Sequence, residues 1–187
     1  MTTRHPSASP TRIRFGSRPV LAAGFVRRQG QDELFDAVFA HSEPRTVLTG
    51  MRGSGKTQLA AAVAARCEEE GWPLVAWIHA ASRKEILAGL YEFALRIGID
   101  APKNIPLEVI VQRLLDQLRS AEAADRLFVF DNVENPDDLR DLIPEGAGVR
   151  VLITTPRHFD WDGLGWLRLA VGAFDREQSV SLLCEHT

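Results

Sequence analysis

The sequence has few cysteines and no long apolar run. No stretch approaches the length of a membrane-spanning helix, and no apolar stretch of roughly 7–15 residues follows the early arginines, so neither a membrane span nor a secretory signal is predicted. Cys67 and Cys184 are far apart and lack the spacing of a metal site. Each lies in an apolar helical pattern, which predicts a reduced, packed thiol. We therefore expect a cytoplasmic protein without a membrane partner.

Acidic side chains are absent from the first 31 residues, although that stretch contains six arginines. Its serine, threonine and proline content offers little apolar surface to offset the entropy of ordering. Residues 1–19 are therefore predicted to form a flexible basic arm that is free or wraps the surface. A partner-docking arm and a transit peptide are the alternatives. The net charge of the whole chain is only −3, so nucleic acid is not indicated as a partner of the domain.

Residues 20–187 have the length of one domain, and a chain that is 45% hydrophobic and 25% charged has the composition of a soluble globular protein. Short apolar strands alternate with amphipathic helices. The predicted strands cover residues 46–49, 73–79, 127–130, 149–154 and 167–171, and the predicted helices cover 31–39, 56–70, 82–97, 107–121 and 175–185. This alternation predicts an α/β fold, a doubly wound and mainly parallel five-stranded sheet flanked by helices.

One motif matches the phosphate-binding pattern G-x-x-x-x-G-K-[ST], between a predicted strand and a predicted helix as that pattern requires. Its residues are Gly50, Met51, Arg52, Gly53, Ser54, Gly55, Lys56 and Thr57. The glycines let backbone N–H groups turn toward phosphate oxygens, and the helix N-terminus adds its dipole. Lys56 would reach the β- and γ-phosphates, and the Thr57 hydroxyl would bind Mg²⁺. The motif predicts a P-loop that binds a nucleoside triphosphate.

A second motif is the apolar strand 127–130 followed by Asp131. Ligands of open parallel sheets bind at the carboxyl ends of strands, where Asp131 would hold Mg²⁺ through its water shell. A turn or helix-cap aspartate is the alternative, because the following residues are polar and include Pro136. The P-loop upstream favours the metal site.

The residue after Asp131 is an amide, Asn132. Hydrolytic P-loop enzymes often place a second carboxylate beside the metal aspartate to polarise the attacking water, and an amide cannot accept that proton. Glu134 is nearby and is the alternative base. We therefore expect slow ATP hydrolysis.

A third motif ends the strand 149–154 in hydroxyl groups and a cation, Thr154, Thr155 and Arg157. A γ-phosphate sensor needs a hydrogen-bond donor at the carboxyl edge of a strand beside the P-loop, and these three residues qualify. Arg157, with Lys56 and Asp131, is a catalytic candidate because it could stabilise developing charge. Ordinary polar residues at a strand end are the alternative, and His158 is predicted to lie in a loop.

In this order the three motifs resemble the nucleotide-binding core of NB-ARC proteins, which belong to the STAND class of signalling P-loop ATPases. The similarity covers roughly Pro19 to the end and extends the P-loop to Gln58. It implies a switch in which ADP holds a closed form, ATP opens it for oligomerisation, and hydrolysis resets it. The implied ligands are ATP or ADP with Mg²⁺.

The resemblance also implies an adenine site. In NB-ARC proteins a segment reading F-V-G-R contacts adenine, and its place is taken here by Phe25, Val26, Arg27 and Arg28, with Arg27 replacing the glycine. The family's sensor reads T-T-R, whereas Pro156 moves the arginine one position along this chain.

NB-ARC proteins continue into a helical lid and a winged-helix domain, which residues 1–187 do not include. An excised nucleotide-binding domain is therefore expected, with protein partners or self-association through the missing parts. A departure from the family's architecture is the alternative. Two other functions stay open: a nucleotide-binding scaffold that does not hydrolyse ATP, which Asn132 favours, and a small-molecule phosphotransferase, which would need an arginine-rich lid. A GTPase is disfavoured because the chain has no N-K-x-D sequence.

Overall fold

Six parallel strands form one sheet in the computed structural model, which describes residues 12–21, 31–39 and 44–172. The strands are β1 (Ile13–Phe15), β2 (Arg45–Thr49), β3 (Leu74–His79), β4 (Arg126–Asp131), β5 (Val149–Thr155) and β6 (Leu167–Ala170). Their spatial order is β1-β3-β4-β5-β2-β6. The helices are α1 (Gln31–Phe39), α2 (Lys56–Glu69), α3 (Arg83–Arg96) and α4 (Leu107–Ser120), and a short 3₁₀ helix covers Pro136–Leu139. The predicted α/β fold is confirmed.

Helices cover both faces of the sheet, which explains why its inner strands are continuous apolar runs. On one face α3 and α4 pack with the segment that follows β5, where Trp161 and Trp166 are buried. On the other face α1 and α2 pack against the sheet. The buried Cys67 lies on α2, and burial raises the pKa of its thiol, in line with the packed thiol expected there. Cys184 and the predicted helix 175–185 lie outside the described residues.

The predicted count of five strands is wrong, because residues of the predicted basic arm form a sixth. Ile13–Phe15 pairs with β3, and the Phe15 ring lies 5.2 Å from the ring of Phe93. Arg14 within this strand and Arg18 after it both form ion pairs with Glu68 on α2. The sequence did not predict β1, because its two apolar residues, Ile13 and Phe15, are separated by an arginine and form too short a pattern. Residues 1–11 lie outside the described part of the chain.

The order of the strands determines where the predicted motifs meet. β5 lies between β2, which leads into the P-loop, and β4, which ends at Asp131. Because all three strands are parallel, their carboxyl ends lie at one edge of the sheet. None of the helices in the described residues is long and apolar enough to cross a membrane.

We expect Gly16→Ala to weaken the attachment of β1 to the sheet. A Cβ at Gly16 would lie 2.0 Å from the carbonyl oxygen of Trp77, whereas one at Gly98 would meet nothing within 4 Å. Both glycines have positive φ angles, so either substitution should cost about 1–2 kcal/mol through backbone strain. The Gly16 variant should lose about 1–3 kcal/mol more through the clash. Urea unfolding of both variants tests this, and equal losses would contradict the observed position of β1.

Candidate nucleotide-binding site

The P-loop backbone has the conformation that its glycines allow. Gly50, Gly53 and Gly55 all have positive φ angles, 154°, 79° and 83°. A Cβ at Gly50 would lie 2.4 Å from the carbonyl oxygen of Val171, so a side chain there is excluded by space as well as by φ. Gly55 is the N-cap of α2 and makes no side-chain hydrogen bond. The first N–H groups of α2 are thus left without a capping side chain, which is the arrangement that anions bind.

The Lys56 side chain lies inside the loop. It is only 7% exposed, and its ammonium donates hydrogen bonds to the carbonyl oxygens of Gly50 and Met51, each at 2.8 Å. Burial lowers the pKa of Lys56, and the nearby carboxylate of Asp131 partly opposes this shift. A phosphate group beside the ammonium would oppose it further. The loop therefore holds a partly desolvated cation at the place where a polyphosphate would lie.

The Asp131 carboxylate joins the ends of β4 and β5 to the start of α2. Its Oδ1 accepts hydrogen bonds from Thr57 Oγ1 at 2.8 Å and from Thr154 Oγ1 at 2.5 Å. Asp131 is 7% exposed and Thr154 is 1% exposed. Two of the predicted site residues, Thr57 and Asp131, are thus in contact, and the predicted sensor residue Thr154 joins them.

These oxygens fit a magnesium ion. Mg²⁺ prefers hard oxygen ligands and is typically bound by one or two protein groups plus nucleotide phosphates and water. Thr57 Oγ1 and Asp131 Oδ1 are such a pair. No cluster of three or more His, Cys, Asp or Glu side chains suited to a metal occurs among the described residues. A site that takes its other ligands from nucleotide and water needs no such cluster.

The residue after Asp131 has an unusual backbone. Asn132 is exposed and has a φ of 67°, a left-handed conformation that asparagine tolerates better than most residues. Its N–H donates to Thr154 Oγ1 at 2.8 Å. The same threonine hydroxyl therefore donates to Asp131 and accepts from Asn132, so it holds the turn that follows β4.

Three charged side chains meet at the mouth of the P-loop. Glu134 accepts hydrogen bonds from Arg52 Nη2 and from Arg157 Nε, each at 2.9 Å. The backbone N–H of Arg157 also donates to Thr155 Oγ1 at 3.0 Å, which anchors the turn at Pro156. Arg157 thus lies beside the P-loop even though proline precedes it. The pairing of Arg52 with Glu134 was not foreseen, because residues 82 positions apart give no signal in the sequence.

Four predicted contact residues remain, and the structure describes only Gln58 among them. Gln58 Nε2 donates to the carbonyl oxygen of Val20 at 3.3 Å, so the chain before α1 is tied to the start of α2. Phe25, Val26 and Arg28 lie outside the described residues, as does Arg27.

Two cavities differ in their relation to this site. One of about 360 Å³ is lined by Met51, Arg52, Pro156 and Arg157. A larger one, of about 810 Å³, lies between α4, the 3₁₀ helix and residues 159–166, and none of the predicted site residues lines it. The smaller cavity adjoins the candidate site, because the P-loop residues Met51 and Arg52 and the candidate residue Arg157 line it.

Comparison with known proteins gives matches among solved structures alone. No protein-family model and no curated protein matches the chain. Cdc6p from Pyrobaculum aerophilum aligns over 88% of this chain and 52% of its own, at 16% identity and a TM-score of 0.65. The Aeropyrum pernix ORC2 protein, in ADPNP–ADP complexes, aligns over 97% and 54%, at 18% identity and 0.58. The Aeropyrum pernix ORC1 protein, in complex with DNA, aligns over 83% and 47%, at 19% identity and 0.54.

The chain has a P-loop NTPase fold. It spans about half the length of these similar structures. Their similarity supports the P-loop core but not the NB-ARC subclass specifically. The interpretation that nucleic acid is not indicated is likewise unsupported, since one similar protein was solved with DNA.

We expect Thr154→Val to loosen the site. The valine keeps the shape of the side chain but loses the hydroxyl that donates to Asp131 and accepts from Asn132. The loss of both hydrogen bonds, one of them to the buried Asp131 carboxylate, should cost about 1–3 kcal/mol in urea unfolding. Thr49→Val is the control, because Thr49 Oγ1 reaches the carbonyl oxygen of Leu169 only at 3.5 Å and should cost less than about 1 kcal/mol. Equal losses would show that the Thr154 hydroxyl does not hold the turn.

Proposed function

We propose that this chain is the ATP- and ADP-binding core of a regulatory switch of the STAND type that hydrolyses ATP slowly. One observation carries the proposal. On a P-loop NTPase fold, a buried lysine lies inside the glycine loop, and the Thr57 hydroxyl contacts the Asp131 carboxylate at the same edge of the sheet. This arrangement supports a site that binds phosphate groups and magnesium.

The proposed roles follow from these positions. The P-loop N–H groups and Lys56 bind the phosphates, and Thr57 with Asp131 holds Mg²⁺. Magnesium, when bound, would neutralise charge on the β- and γ-phosphates. Arg157 is the candidate for contacting the terminal phosphate. Phe25, Val26 and Arg28 are proposed to contact adenine on the basis of the NB-ARC resemblance alone.

Slow hydrolysis is proposed because of Asn132. Its amide cannot accept a proton from water, and its left-handed backbone occupies the position after the metal aspartate. Glu134 is the carboxylate that remains, and two arginines engage it. A scaffold that binds nucleotide without turnover is the second candidate, and the same amide favours it.

Partners are proposed from the resemblance and from the similar structures. A STAND-type switch would associate with itself or with other proteins according to its nucleotide. Binding to DNA is a separate possibility that the ORC1 protein raises. In the described part of the arm, Arg14 and Arg18 already pair with Glu68, so a DNA contact through these two arginines would have to displace that glutamate.

We expect Lys56→Met to abolish most nucleotide affinity. The ammonium would make charge-assisted hydrogen bonds to phosphate, and their loss should weaken ADP and ATP binding roughly 100-fold. Calorimetric titration with each nucleotide and Mg²⁺ measures this. Lys84→Met is the control, because Lys84 is exposed on α3 and its variant should bind like the wild type.

Phosphate release from the same samples separates the two candidate functions. Slow release that Lys56→Met abolishes supports the switch, and tight binding without release supports the scaffold. If the wild-type chain binds neither nucleotide, the proposed function is refuted.

A further inference from the structure

One charged cluster, which we call the arginine–glutamate bridge, consists of Arg52, Glu134 and Arg157. Arg52 belongs to the P-loop after β2, Glu134 to the turn after β4, and Arg157 to the turn after β5. Each carboxylate oxygen of Glu134 accepts from one arginine, both at 2.9 Å. The bridge thus links the three loops that build the nucleotide site.

The two arginines of the bridge are free enough in space to change hydrogen-bond partners. The side chains of Arg52 and Arg157 are 77% and 60% exposed, so both guanidinium groups can turn without leaving a packed position. Glu134 is 23% exposed, and its two arginine partners lower the pKa of its carboxyl. Glu134 is therefore ionised at neutral pH, and the bridge carries two positive charges against one negative charge.

The bridge also lies where the end of a triphosphate would lie. Arg52 and Arg157 line the cavity of about 360 Å³ beside the P-loop. Glu134 follows the metal aspartate by three residues, and Arg157 follows the strand-end hydroxyl of Thr155 by two. The lysine of a P-loop reaches the β- and γ-phosphates. Arg52 belongs to the same loop as Lys56, so the γ-phosphate is the group that approaches this cluster.

We propose that Glu134 sets the preference of this site between nucleoside diphosphates and triphosphates, by competing with the terminal phosphate for Arg52 and Arg157. This inference rests on the proposed nucleotide-binding function. A diphosphate leaves the bridge intact. A triphosphate has to compete with Glu134 for the N–H donors of both arginines, and the carboxylate then lies near a phosphate of the same sign. Glu134 therefore lowers affinity for the triphosphate and leaves affinity for the diphosphate unchanged.

The test compares Glu134→Gln with the wild-type chain. Calorimetry with Mg²⁺ gives the dissociation constants of ADP and of the β,γ-imido analogue of ATP, which is not hydrolysed. Exposed ion pairs contribute little each. Removing the two pairs and the repulsion between Glu134 and the terminal phosphate should therefore lower the dissociation constant of the analogue about three- to tenfold. The ADP constant should change by less than about twofold on the same reasoning.

Two further variants isolate the charge of Glu134. Glu145→Gln is the matched control, because Glu145 also pairs with two arginines, Arg45 and Arg119. Arg45 is the first residue of β2, at the end of that strand opposite the P-loop. This control should leave the ratio of the dissociation constants of ADP and of the ATP analogue unchanged. Glu134→Asp keeps the negative charge and should shift the ratio less than Glu134→Gln does.

Arg157→Gln should change the affinity for the ATP analogue in the opposite direction. It should weaken binding of the ATP analogue without changing the affinity for ADP. In the double variant with Glu134→Gln, the two changes in the binding free energy of the analogue should not add, because the two residues share one interaction. Circular dichroism confirms that each variant is folded. If Glu134→Gln alters both nucleotides by the same factor, or alters neither, the inference is overturned while the proposed function stands. If wild-type chain binds neither nucleotide, both are overturned.

Discussion

The organisation of the site depends on one carboxylate oxygen, Oδ1 of Asp131. It accepts hydrogen bonds from Thr57 at the start of α2 and from Thr154 at the end of β5. Three elements that are far apart in the sequence are therefore joined at one atom, in a buried setting where an unpaired carboxylate would be costly. The sheet makes this possible, because β5 separates β2 from β4 and brings all three carboxyl ends to the same edge.

The parts of this arrangement that follow local rules could be predicted. α1 was predicted at the bounds it has, and β2, α2, β3, α3, α4, β4, β5 and β6 lie close to the predicted ranges. Long apolar runs between turn residues and strong helix patterns are local properties of the chain. The P-loop was predictable for a related reason, since its glycine spacing encodes a backbone path that few other residues allow.

The parts that depend on contacts between distant residues could not be predicted. β1 is three residues long, and its stability comes from pairing with β3 and from packing on Phe93 rather than from its own composition. The role of Thr154 as a partner of Asp131 needed the strand order, which no periodicity reveals. The arginine–glutamate bridge likewise arises only when the ends of three strands meet.

The contacts between the arm and α2 also determine how the domain can be shortened. Gln58 near one end of α2 donates a hydrogen bond to Val20, the residue that follows the arm, and Glu68 near the other end pairs with Arg14 and Arg18. The arm therefore lies along the helix that begins at the P-loop and is attached to it at both ends. A truncated chain beginning at Asp32 would retain every P-loop residue yet lose the outer support of α2 and the edge strand β1. A shortened chain that keeps these contacts has to include Ile13, the first residue of β1, well upstream of the first residue that would touch a phosphate.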